Sequence, residues 1–196
     1  MNNKNAASLG LANMWVAFIF FAVAALLGLY QTVERMDIIP GIKSPELYFA
    51  SVSTHGVLMG FVLTTFFVMG FGYYAATTSL KQELWSKSFA WFGFWLSLIG
   101  VLIAAVPLLT GNASVLYTFY PPLMAHPAFY IGATLLVVGS WVWCLQMVMM
   151  MRSWKKANPG ETVPLVMYGT TANAILWFIT SLGVASEVLF QLIPWS

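Results

Sequence analysis

Two histidines, one cysteine and six carboxylates are all the His, Cys, Asp and Glu side chains in 196 residues. His55 stands in Ser51-Val52-Ser53-Thr54-His55-Gly56-Val57-Leu58-Met59-Gly60. Its imidazole has two readings: a hydrogen bond between packed helices, or an axial ligand to a heme iron with the second ring nitrogen oriented by a nearby hydroxyl or carbonyl. Gly56 and Gly60 form a small-xxx-small pair beside it, which lets a neighbouring helix or a flat macrocycle approach the backbone. His126 precedes Pro127 and reads as a surface or cap histidine holding a loop. A second iron ligand is the alternative, but at 1.5 Å per residue His55 lies roughly 10 Å deeper than a helix-terminal His126. Glu187 is the one acid inside an apolar run. A protonated structural group, a bond to a neighbouring helix and a member of a proton or water path are all open to it.

Other groups narrow the chemistry. A lone Cys144 makes no internal disulfide and no thiolate cluster, and reads as helix filler. Met147, Met149, Met150 and Met151 form a soft-ligand cluster that packing explains better than a copper site. There is no phosphate-binding glycine loop, no paired carboxylates, and no His-x-x-x-His or Cys-x-x-Cys spacing. Hydrolase and nucleotide-driven pump chemistry therefore has no residues to stand on.

The elements that position these residues follow from composition. Hydrophobic residues make up 60% of the chain and charged ones 7%, against roughly 25% charged in a soluble domain. Each charge is unfavourable by about 2.5 to 3.5 kcal/mol at mid-membrane, so the charge-free gaps mark the spans. They predict an all-α polytopic membrane protein, one transmembrane domain over 1–196, with five helices at about 14–33, 47–77, 89–109, 127–151 and 164–193. Gly111-Asn112 and Pro121-Pro122 break the long gap between the third and fourth, leaving a structured aromatic loop at 111–126 with Tyr117, Phe119 and Tyr120. Arg152, Lys155, Lys156 and the Asn158-Pro159-Gly160 turn close the fourth.

Lys4, Lys81, Lys87, Arg152, Lys155 and Lys156 fall on one side of this arrangement, and Arg35 and Lys43 on the other. The positive-inside rule then places the N-terminus in the cytoplasm and both histidines in the outer half of the membrane or at its surface. A net charge of +2 is too weak for a nucleic-acid footprint.

Thr54-His55-Gly56-Val57-Leu58-Met59, Gly70-Phe71-Gly72-Tyr73-Tyr74 and Leu116-Tyr117-Thr118-Phe119-Tyr120-Pro121-Pro122-Leu123 occur in that order. Together they resemble subunit I of the heme-copper oxygen reductases, and more narrowly the B family of cytochrome c oxidases. The resemblance continues through Ala125-His126-Pro127-Ala128-Phe129-Tyr130-Ile131-Gly132, Trp154-Lys155-Lys156-Ala157-Asn158-Pro159-Gly160 and Leu192-Ile193-Pro194-Trp195-Ser196. The segment 79–88 lacks the Asp and Asn pair that opens the D proton channel of the A family.

What the resemblance implies is specific. His55 falls on the second-helix histidine that ligates the low-spin heme, so the expected cofactor-binding and metal residue is His55. A complete subunit I has at least twelve spans, and the ligands of the high-spin heme and copper lie in later helices. The expected role is the N-terminal part of a terminal respiratory oxidase in a bacterial or archaeal plasma membrane. The expected partners are the remaining helices of subunit I or a complementary chain, a subunit II-like copper protein and a c-type cytochrome donor. The alternative is a stand-alone, non-catalytic heme-binding or assembly protein derived from an oxidase. A small transporter is a weaker reading, for want of an inverted repeat or a midplane charge pair.

Overall fold

In a computed structural model, described for residues 4–37, 39, 44–116, 119 and 123–192, five helices are long and apolar enough to cross a membrane. They are α1 (Lys4–Arg35); a composite span of α2 (Pro45–Val57), a π-helical stretch (Leu58–Leu63) and α3 (Thr64–Leu80); α4 (Lys87–Leu109); α5 (Pro127–Ala157); and α6 (Leu165–Leu192). The only β pairing among the described residues is an isolated bridge between Ala113 and Ala125. The predicted all-α class and span count hold. Lys43, the Tyr117, Tyr120 and Pro121-Pro122 part of the aromatic loop, and Ile193 to Ser196 lie outside the described residues.

Local chemistry sets the helix ends. Ser44 Oγ accepts from Leu47 N–H at 3.3 Å with Pro45 in the first turn, and Ser86 Oγ accepts from Phe89 N–H at 3.3 Å. Each satisfies a donor that has no partner inside its helix. Lys81 closes α3 in the left-handed conformation at φ 49°. Gly111, at φ 74°, sits in the turn that stops α4, as Gly160, at φ 87°, does after α5; glycine reaches these angles without a Cβ penalty. The helix of α1 starts about ten residues earlier than the span expected from charge alone. Ala6 and Leu9 are buried, Asn13 donates to Leu9 O at 2.9 Å, and Gly10 meets Gly70 of α3 backbone to backbone.

The tightest packing is between α4 and α5. A Cβ placed on Gly100 would fall 2.5 Å from Gly132 O and 2.7 Å from Leu136 N, and one on Gly93 would fall 2.7 Å from Val142 Cγ1. With no hydrophobic drive between helices in lipid, association rests on such close contact. Trp143 of α5 is wedged against Gly72 of α3, where a Cβ would lie 2.6 Å from the indole Cζ2. Indole hydrogen bonds tie α6 to α5: Trp141 Nε1–H donates to Ser181 Oγ at 2.7 Å, and Trp177 Nε1–H to Ser140 Oγ at 2.8 Å.

Candidate functional site

His55 lies on α2 facing α1. Its Nδ1 is 2.8 Å from the backbone oxygen of Ala24. A carbonyl only accepts, so Nδ1 carries the proton and the neutral ring keeps its lone pair on Nε2. Gly28, one turn past Ala24 on α1, makes room for the ring: a Cβ there would fall 3.0 Å from His55 Cε1. The α1 backbone thus sets both tautomer and ring position, the arrangement by which proteins orient metal-bound histidines.

Just beyond His55 the span changes to π-helical hydrogen bonding over Leu58–Leu63, a feature frequent at functional sites. Gly60 lies within it, exposed, with nothing within 4 Å of where its Cβ would be. Among the described residues no helix packs on that position. The described glycines used for close helix approach lie elsewhere, at Gly10, Gly70, Gly93, Gly100, Gly132 and Gly139.

The remaining candidates separate from His55. His126 is the exposed N-cap of α5, its Nδ1 accepting from Ala128 N–H at 3.2 Å while its own N–H donates to Asn112 O at 2.8 Å. Glu187 is half-buried on α6 with no hydrogen bond or ion pair among the described residues. One turn later, Gln191 joins a network that residue type alone did not single out. Ala125 N–H donates to Tyr130 Oη, Tyr130 O–H donates to Gln191 Oε1 at 3.2 Å, and Gln191 Nε2–H donates to Phe119 O. Phe119, at φ 63°, is held edge-on between Phe61 and Phe129, so the described part of the aromatic loop is packed against the bundle. Met147 and Met150 are fully buried and Cys144 is buried and free. No group of three or more His, Cys, Asp or Glu side chains able to hold a metal occurs among the described residues.

A second polar feature lies at mid-span. A cavity of about 110 Å³ between α3, α5 and α6 is lined by Thr64, Thr65, Ser140, Trp143, Asn173 and Trp177, among others. Thr65 Oγ1 and Trp143 Nε1 are buried there without a hydrogen-bond partner among the described residues.

The protein-family model described as "Cytochrome C and Quinol oxidase polypeptide I" matches residues 8–196. Cytochrome c oxidase subunit 1 of Thermus thermophilus is 36% identical over 187 residues, covering 92% of this chain and 33% of that protein. A chain of a heme-copper terminal oxidase dimer solved by cryo-electron microscopy superimposes with a TM-score of 0.89 at 37% identity, covering 96% of this chain and 33% of the other. The chain therefore spans about a third of the length of either relative.

Proposed function

The chain belongs to the cytochrome c and quinol oxidase polypeptide I family, the subunit I family of heme-copper oxidases, and from that premise we propose that His55 supplies one axial ligand of a low-spin heme in a terminal oxidase. The observation that carries this is the 2.8 Å contact between His55 Nδ1 and Ala24 O. It leaves the other ring nitrogen as the electron-pair donor an iron needs, on a ring that a neighbouring helix already holds in place. Gly28 seats the ring itself, and among the described residues nothing crowds the backbone at Gly60.

The heme, when bound, carries single electrons. In an assembled oxidase the chemistry such a group would serve is the reduction of oxygen by four electrons and four protons to two waters, at a heme-copper centre held by other residues. The ligands of that centre belong to helices beyond the third of the subunit that this chain spans. The chain's own residues bind and orient: His55 ligates, Ala24 holds its Nδ1 proton, and Gly28 leaves room for the ring. The electron donor is a c-type cytochrome acting through a subunit II-like copper protein. Proton translocation accompanies turnover, and the enzyme sits in the plasma membrane.

The test is a reduced-minus-oxidised visible spectrum of the assembled oxidase carrying His55→Ala. The low-spin heme band is expected to disappear while the polypeptide still inserts; an unchanged band would overturn the ligand assignment.

A further inference from the structure

A groove of about 520 Å³ runs along the outer surface of α4, α5 and α6. Phe89 of α4, Trp141, Leu145 and Val148 of α5, and Ile175 and Phe178 of α6 form its walls, and the one charged group lining it is Arg152. Trp141 Nε1–H is already used on Ser181, so the walls make little demand for hydrogen bonds. Water has little to hold it there, and an alkyl chain has apolar contact along the whole groove. Arg152 is exposed and makes no hydrogen bond or ion pair among the described residues. Lys155 and Lys156 follow within about a turn.

Dimensions and charge agree on the occupant. From Val138 to Arg152 the groove follows α5 for about 21 Å at 1.5 Å per residue, and one leaflet contributes about 15 Å of hydrocarbon. With Arg152 at headgroup level, the groove spans one leaflet. The side it occupies on α6 is apolar and exposed in this chain: at 3.6 residues per turn, Ile175 and Phe178 lie opposite the polar stripe of Asn173, Thr180 and Glu187.

We propose that this groove binds one anionic glycerophospholipid, its phosphate on Arg152 and one acyl chain laid along Leu145, Trp141 and Phe178. The guanidinium offers a forked donor set that matches phosphate oxygens, and the two lysines reinforce the preference for net negative headgroups. The site is independent of the heme-ligand reading.

The assembly carrying this chain, reconstituted in nanodiscs, tests the proposal with phosphatidylglycerol bearing a photoreactive group on its acyl chain. Crosslinks mapped by mass spectrometry are expected on Leu145, Trp141 and Phe178, enriched over the more exposed apolar face of α1 at Phe18 and Leu26. Arg152→Glu should lower groove crosslinking by roughly five-fold or more, the factor corresponding to about 1 kcal/mol per cation at an anionic surface. Arg152→Lys should restore most of it, and Val148→Trp should block the groove with Arg152 left intact. Equal labelling of groove and α1, or yields unchanged in Arg152→Glu, would overturn the site. Equal labelling by a phosphatidylcholine analogue would overturn its anionic selectivity, and crosslinks from another polypeptide to Trp141 or Phe178 would replace the lipid with a protein partner.

Discussion

His55 is committed to one tautomer by an atom that no side chain provides. Ala24 contributes only its backbone oxygen, and Gly28 contributes only the absence of a Cβ, yet the two decide where Nε2 carries its lone pair and how the ring stands. The imidazole was readable as a candidate from its residue type and its depth in an uncharged run. Its orienting partner was not, because any residue has a carbonyl and only the packing of α1 on α2 selects Ala24. Gly28 gives this a test separate from ligand removal. At the built position a Cβ already lies 3.0 Å from Cε1, so the branched side chain of Gly28→Val must displace the ring. The expected result is loss or displacement of the low-spin heme band in reduced-minus-oxidised spectra, with His55 still present and the high-spin heme band retained. Gly28→Ala, which needs a shift of only a few tenths of an ångström, should give a weaker change in the same direction. A Gly28→Val band identical to wild type would show that α1 does not position the ligand.

Among the elements, the five spans were legible because charge is excluded from hydrocarbon, and charge positions survive any detail of packing. The ends were less so. The first ten or so residues of α1 stay helical because Gly10 meets Gly70 and Asn13 Nδ2–H donates to Leu9 O within the helix, which hydropathy does not register. The π-helical stretch after His55 was also invisible, since one shifted hydrogen-bond register leaves an apolar run equally apolar. Glycine spacing drew attention to Gly56 and Gly60, whereas the closest crossing is built from Gly93 and Gly100 of α4 with Gly132 and Gly139 of α5. Small residues are needed where two particular helices cross, and one sequence does not say which two. Gly100→Ala tests the crossing: its Cβ would meet a backbone oxygen at 2.5 Å and a backbone nitrogen at 2.7 Å, neither able to swing aside. Overpacking typically costs about 1–3 kcal/mol and occasionally more, and this variant should fall at or above the upper end. The check is the thermal unfolding midpoint of the detergent-solubilised assembly, with Leu26→Ala as a control at an exposed position of α1. Equal midpoints for the two variants would mean that the α4–α5 contact is not as close as it stands here.

At the scale of the molecule, α6 presents two unlike sides. Gly169, Asn173, Leu176, Thr180, Gly183 and Glu187 recur at alternating intervals of four and three, the spacing that keeps one stripe of a helix facing a partner. All are exposed except Glu187, which is half-buried, and the two glycines have open space where a Cβ would stand. Asn173 and Glu187, both within a helix long and apolar enough to cross a membrane, would be costly if lipid covered them, while small residues with polar neighbours are what a second transmembrane helix packs against. The relatives are about three times as long as this chain, which leaves ample protein to supply that helix. The opposite side of α6, with Ile175 and Phe178, is apolar and suits lipid. Nitroxide labels on single cysteines separate the two sides. In the assembled enzyme, Leu176→Cys and Thr180→Cys are expected to show low collision rates with oxygen, the lipid-soluble relaxant, and restricted label motion. Ile179→Cys, exposed between the two sides, should show high oxygen access. If the stripe positions proved as open to oxygen as Ile179, the face would be lipid-facing. Asn173 and Glu187 would then need their partners inside this chain, where none is found among the described residues.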